Sequence, residues 1–224
     1  MHQLCLPMGM GEAEMKRLDD IIDVRCRIRR DTTLYRTSDP FVNLYAIRFG
    51  HFKTVQLDGK GEQQITGFQM AGDLLGMDAI GANRHQCDAV ALEDSEVCEI
   101  PFLRLEELFG DMPRLLHRFH RIMSSEITRE QTAMLLLSHL RAEQRLAAFL
   151  VNLGARYAAR GYSPVSFTLR MSREDIGSYL GLTIESISRL LNKFKKEGCL
   201  RVSNREIALL DPARLRLLAA GAGQ

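Results

Sequence analysis

A chain of 224 residues, 46% of them hydrophobic, is long enough to bury a sizeable core and suits two domains better than one. No apolar run approaches the roughly 20 residues of a membrane span, and no basic segment followed by an apolar core opens the chain, so no membrane association is expected and a cytoplasmic location is. Five cysteines (Cys5, Cys26, Cys87, Cys98 and Cys199), an odd number at wide spacing, argue against a disulfide framework and leave metal ligation or burial.

The net charge of +2 conceals an asymmetry: from Arg141 onward stand 14 Lys and Arg against 7 Asp and Glu, whereas the preceding part carries 16 against 21. A basic C-terminal part suits a polyanionic partner.

In chain order, EAEMKRLDDIIDV (12–24) sets Met15, Leu18, Ile21 and Ile22 on one face and predicts a short helix. The period then changes. Segments near 25–36, 43–57, 62–70 and 86–101 are rich in Val, Ile, Thr, Tyr and Phe, separated by turn signals such as Ser38-Asp39-Pro40 and Gly81-Ala82-Asn83. They predict an antiparallel β-roll, with a jelly roll as its closure. From Pro113, a favoured first-turn residue, a long helix is expected to run to about 140. Leu115, Phe119 and Ile122 suit packing onto the roll. Leu116, His120, Met123, Ile127, Glu130, Met134 and Leu137 step by four and three in alternation, a coiled-coil seam that predicts a homodimer. AEQRLAAFLVNLGARYAARG reads as another helix ended by Gly161, followed by a strand over 166–170. The fold class is therefore α+β: an antiparallel β-roll with its N-terminal segment over 1–110, a dimerisation helix over 111–141 and a winged helix-turn-helix over 142–224.

The chemistry concentrates in SREDIGSYLGLTIESISRLLNKFKKEG (172–198). Ser172 and Asp175 have the spacing of a capping box, so a helix starts there. Ile176, Tyr179 and Leu180 give it one apolar face, Gly181 supplies the left-handed backbone of a sharp turn, and Thr183 is the N-cap of the next helix. There Ile184, Ile187, Leu190, Leu191 and Phe194 face inward, and Glu185, Ser188, Arg189, Asn192, Lys193 and Lys196 face outward. Folding requires no such outward set, but base edges do: Arg pairs bidentately with guanine, Glu accepts from the cytosine amino group, and Ser reads either base. Ser172, Arg173 and Thr183 at the helix entrances complete the expected DNA-binding set. Leu200–Ser203 and Glu206–Leu210 flank an Asn204-Arg205 turn as a two-stranded wing, and Asp211-Pro212 opens a last helix.

GSYLGLTIESISRLLNKF resembles the helix-turn-helix of the catabolite activator and fumarate-nitrate reduction regulator superfamily, and E-S-x-S-R is similar to its oxygen-sensing FNR branch. LYAIRFG, EQQITGF, AGDLLGMDAIG and VCEIPF resemble the sensory roll of that branch. The resemblance implies a transcription regulator, not an enzyme, whose Glu185, Ser188 and Arg189 contact bases in TTGAT-like half-sites. AGDLLGMDAIG resembles a loop through which the family touches RNA polymerase, which implies activation. In the FNR branch three N-terminal cysteines and one central cysteine hold an oxygen-labile [4Fe–4S] cluster. Cys5 matches the third of these and Cys98 the central one; the remaining two are expected upstream of Met1, so the 224-residue chain by itself is expected to hold no stable cluster, a cubane normally needing four ligands.

Cys26, Cys87 and Cys199 suit burial as small hydrophobes. A cyclic-nucleotide site of the superfamily needs a Gly-Glu pair and an Arg-Ser or Arg-Thr, whereas His85-Gln86-Cys87-Asp88-Ala89 places an acidic group there, so no cyclic nucleotide is expected. The histidines are too scattered for a metalloenzyme of the cupin type, and no phosphate loop or nucleophile elbow occurs. The rival is a regulator of the same architecture without a cluster, answering another signal or constitutive.

Overall fold

The computed structural model describes residues 11–22, 24–57, 59 and 61–221, which leaves Cys5 outside the described residues. The chain forms two compact units, Met1–Thr128 and Arg129–Gln224.

In the first unit a helix α1 (Glu12–Ile21) precedes eight strands: β1 (Val24–Ile28), β2 (Thr33–Tyr35), β3 (Asn43–Phe49), β4 (His51–Leu57), β5 (Gln63–Met70), β6 (Leu74–Leu75), β7 (Asp88–Ala91) and β8 (Ser95–Pro101). They make two antiparallel sheets in the orders β1-β8-β3-β6 and β2-β7-β4-β5. Because side chains alternate along a strand, each sheet has one face for the interior of the roll and one for whatever covers it. Tyr35, Ile47, Phe52, Ala89, Ala91 and Val97 fill the interior. On the outer face of the first sheet, Leu44, Ala46, Cys98 and Ile100 pack with Leu18 of α1, with Leu105 and Leu108 of a helix α2 (Phe102–Asp111), and with Leu115 and Phe119 at the start of α3 (Pro113–His139). The expected packing of Leu115, Phe119 and Ile122 onto the roll is found, Ile122 lying partly buried against the same cluster.

Four features differ from the sequence pattern. Helix α2 was not expected, since its ten residues directly abut a strand and leave no turn signal between them. The run 25–36 breaks into two strands at a turn with Asp31 at φ 61°, and 43–57 becomes a hairpin hinged on Gly50 at φ 96°. AGDLLGMDAIG carries the short β6 and a single 3₁₀ turn, Met77–Ala79.

The second unit contains the C-terminal part of α3, α4 (Ala142–Ala158), β9 (Ser166–Thr168), α5 (Arg173–Leu180), α6 (Ile184–Lys196), β10 (Leu200–Ser203), β11 (Glu206–Leu209) and α7 (Pro212–Ala219). Strands β10 and β11 form the expected wing, and β9 joins its edge against β11. The strand expected over 166–170 ends at Thr168, after which the Leu169 amide donates to the Arg205 carbonyl at 2.7 Å. Leu146, Leu150, Ile176, Leu180, Ile187, Leu191, Phe194 and Leu215 are buried and supply the apolar centre from α4, α5, α6 and α7.

Candidate nucleic-acid interface

The entrance to α5 is built as the spacing predicts. The Asp175 amide donates to Ser172 Oγ at 3.0 Å, and Asp175 Oδ2 accepts from the Ser172 amide at 2.8 Å, so two otherwise orphaned amides are satisfied reciprocally. The helix ends on Gly181 at φ 62°, a left-handed conformation that costs glycine nothing. Within α5, Gly177 lies so near the turn that a Cβ there would stand 2.6 Å from the Leu182 carbonyl oxygen. The two glycines set how sharply α5 passes into α6.

Thr183 caps α6 by accepting from the Ser186 amide at 3.2 Å. Ile187, Leu190, Leu191 and Phe194 face inward, but Ile184 is 45% exposed, a departure from the inward face expected for it. It sits in the first turn, before the helix comes fully under its neighbours. Glu185, Ser188, Arg189, Asn192, Lys193 and Lys196 line one open depression together with Ile184 and Glu197.

Each candidate base reader is held by a neighbouring side chain. Arg173 Nη1 donates to Ser188 Oγ at 3.1 Å, bringing together two residues fifteen apart in sequence. Arg189 Nη2 reaches Ser186 Oγ at 3.5 Å, and Thr183 Oγ1 donates to the same hydroxyl at 3.3 Å. Ser186, which the outward stripe leaves out, therefore links the cap to Arg189. The Glu185 carboxyl is held below its ordinary pKa by a backbone hydrogen bond to its own amide and by the Thr183 hydroxyl. It stays an acceptor, the state that an exocyclic amino group requires.

Other contacts brace the unit. Arg145 of α4 donates to the carbonyls of Leu140 at 2.8 Å and Leu180 at 3.0 Å, holding the end of α5. Lys193, expected in the outward stripe, donates to Glu143 at 2.7 Å. Neither partnership has a signal in the local pattern, because Arg145 and Glu143 lie 35 and 50 residues from what they hold.

On α3, Ile127 is 52% exposed, Met134 70% and Leu137 37%, while Leu116 is half-buried and Met123 packs partly against the roll's outer cluster. Glu130 is exposed on the same helix.

Cys98 is 2% exposed beneath α1. Burial pushes its thiol up, and the nearby Arg48 and Arg25 oppose the shift. Cys26, on the neighbouring strand, is on the other face of the same sheet, packed toward the roll interior, with its thiol donating to Glu99 at 3.0 Å and a pKa pushed up by burial to about 11. Cys87 is inside the roll and Cys199 in the second unit. Among the described residues no group of three or more His, Cys, Asp or Glu could hold a metal ion.

Deep in the roll, His85 stacks on Tyr35 with ring centroids 3.7 Å apart and meets Phe41 edge-on. Tyr35 Oη accepts from the Gly76 amide at 3.1 Å, and Asp78 accepts from the Gln86 amide at 2.7 Å. Asp88 accepts from both the amide and the hydroxyl of Thr37, at 2.7 and 3.0 Å.

Comparison with known proteins agrees over both units. Residues 144–218 match the family model of the Crp-like helix-turn-helix domain and residues 25–112 that of the cyclic nucleotide-binding domain. The chain is 49% identical over 217 residues to the fumarate and nitrate reduction regulatory protein of Escherichia coli (strain K12), covering 97% of this chain and 87% of that protein. It is 46% identical over 215 residues to the transcriptional regulatory protein btr of Bordetella pertussis (strain Tohama I), covering 96% and 89%. Among solved structures, FixK2 from Bradyrhizobium japonicum superposes with a TM-score of 0.81 at 30% identity, over 89% of this chain and 98% of that one. A CooA mutant from Carboxydothermus hydrogenoformans shares the fold, with a TM-score of 0.74 at 21% identity over 98% and 97%. With near-full-length relatives of this closeness, and helix-turn-helix geometry to match, the chain belongs to the CRP/FNR family of DNA-binding transcription regulators and is not an enzyme.

Proposed function

We propose that this regulator is of the FNR type, a cytoplasmic homodimer that reads a palindromic TTGAT-like site with Glu185, Ser188 and Arg189, supported by Ser172, Arg173 and Thr183. The observation that carries the reading is the tied set on the open face of α6: Arg173 on Ser188, and Arg189 with Thr183 on Ser186. Side chains already held by their neighbours lose less freedom on binding. Two α6 helices in a dimer would enter successive major grooves about one helical turn apart. The dimer would form along Leu116, Met123, Ile127, Glu130, Met134 and Leu137, whose exposed apolar members a second α3 would cover. The segment 111–141 acts in this reading as a dimerisation element between sensory and DNA-binding parts. The test is binding to duplexes varied at every base of a TTGAT palindrome. Arg189→Ala is expected to lose about 1–3 kcal/mol of discrimination at one guanine and little elsewhere; uniform weakening over all variants would reduce Arg189 to a phosphate contact.

The roll in this reading takes no cyclic nucleotide. Tyr35 and His85 fill its interior, and the Gly76, Gln86 and Thr37 amides already have side-chain acceptors. Contact with RNA polymerase through 71–81, as an activator would use it, would fall to half-buried members such as Asp73, Met77 and Asp78, since Leu74, Leu75 and Ala79 are buried.

Oxygen sensing through a [4Fe–4S] cluster is supported by the likeness to proteins named for fumarate and nitrate reduction and by the buried Cys98. Such a cluster supplies an oxygen-labile, redox-active group; Cys98 and Cys5 would be two of its thiolates. Cys26 and Cys87 lie toward the interior of the roll, whereas Cys98 lies on its outer face. The second reading is a cluster-free regulator of the same architecture that answers another signal or is constitutive. Anaerobic reconstitution with iron and sulfide separates them. In a form that carries two further cysteines ahead of residue 1, bound sulfide and visible absorbance that disappear in Cys98→Ser support the first, and their absence from that form supports the second.

A further inference from the structure

Lys193 lies four residues after Arg189 on the open face of α6, where a lysine would ordinarily neutralise a DNA phosphate. Its ammonium is already engaged. Lys193 Nζ donates to Glu143 Oε2 at 2.7 Å and lies 3.8 Å from Glu197 Oε1. Glu197 in turn accepts from Arg214, with Nη2 at 2.9 Å from its carboxylate and Nη1 at 3.4 Å from its carbonyl oxygen. The charges alternate from Glu143 on α4, through Lys193 and Glu197 at the end of α6, to Arg214 on α7.

Helix polarity reinforces the arrangement. Glu143 is in the first turn of α4, where backbone amides favour an anion, and Lys193 is in the last turn of α6, where carbonyls favour a cation. The hydrogen bond to Glu143 is also the largest cause that raises the Lys193 pKa. An isolated exposed ion pair contributes little, but here one lysine sits between two carboxylates, each fixed to a different part of the helical frame.

We propose that Glu143 is a positioning residue for DNA recognition: it holds Lys193 as a brace between α6 and α4 and withholds that lysine from the DNA backbone. A phosphate approaching Lys193 has to displace the Glu143 carboxylate, the one within hydrogen-bond distance of the ammonium, since Glu197 stands off at 3.8 Å. The outward stripe therefore carries one fewer phosphate contact than its lysines suggest, and the base readers keep a fixed tilt. The inference requires only that α6 meets DNA, whatever sequence it reads.

The experiment is the slope of log binding constant against log salt, measured for the whole chain on a TTGAT palindrome and on an unrelated duplex. Each phosphate neutralised contributes about 0.9 to that slope. Lys193→Gln is expected to leave the slope unchanged, whereas Glu143→Gln frees Lys193 and steepens it by about 0.9 for each α6 on the DNA. The double variant should return to the wild-type slope. A brace that is merely structural would change stability or affinity without moving the slope in this pattern. The proposal is overturned if Lys193→Gln alone flattens the slope, since Lys193 would then already contact phosphate, or if Glu143→Gln leaves it unmoved. Equal binding of both duplexes would instead refute the TTGAT assignment, with the slopes still readable.

Discussion

At the scale of single residues, the two helices of the helix-turn-helix are started and stopped by groups close to them in the chain. Ser172 with Asp175, Gly181 and Thr183 lie within a few positions of the groups they serve, and backbone geometry dictates their residue types. Ser186, Arg145 and Glu143 act on partners brought near only by folding or by rotamer choice, and they have no local signature. His85 is of that second kind. It is 2% exposed, and burial holds its imidazole below the ordinary pKa against the opposing pull of Asp78 and Asp39. Its Nδ1 is buried without a hydrogen-bond partner and is 3.7 Å from Asp78. A histidine whose folded pKa lies below its unfolded one binds fewer protons when folded. Its contribution to stability is therefore present above about pH 6.5 and falls as the pH drops from there toward the folded pKa. Urea midpoints taken from pH 8 to pH 5 should fall more steeply for wild type than for His85→Gln; parallel profiles would mean that His85 titrates alike in both states.

At the scale of elements, the strands and long helices were legible because burial imposes periods of two and about 3.6. Helix α2 was not, nor was the subdivision of the roll's strands, because positive φ at Asp31 and the hairpin at Gly50 cut runs whose composition is continuous. The junction of α5 and α6 depends on Gly177 for space and on Gly181 for backbone hand. A methyl group at Gly177 would have to push the Leu182 carbonyl away, and the amide of that same residue donates back to the Gly177 carbonyl at 2.9 Å. Gly177→Ala is thus expected to destabilise the second unit by about 1–3 kcal/mol, the range of overpacking. Denaturation of the purified protein, followed with duplex binding, checks this. A fully stable variant with normal affinity would show that the turn can shift at no cost.

At the scale of the molecule, the proposed dimer would bring the acidic Glu130 of two chains together within a largely apolar seam. Like charges partly removed from water oppose association, so the dimer should lie near balance, where a signal worth a few kcal/mol moves it. Glu130→Ala is expected to lower the dimer dissociation constant and raise DNA affinity, read by sedimentation equilibrium at matched salt; an unchanged or weaker dimer would place the carboxylate outside the seam. The thiols have a separate use. Cys26, Cys87, Cys98 and Cys199 all have raised pKa values, and the last three are buried. Because alkylating reagents attack thiolates, these four should label slowly while the chain is folded and quickly once their surroundings open. Three of them report on Met1–Thr128 and Cys199 on Arg129–Gln224. A timed pulse of iodoacetamide, read by peptide mass, should clock the opening of each unit separately in one unmodified protein, with no introduced probe.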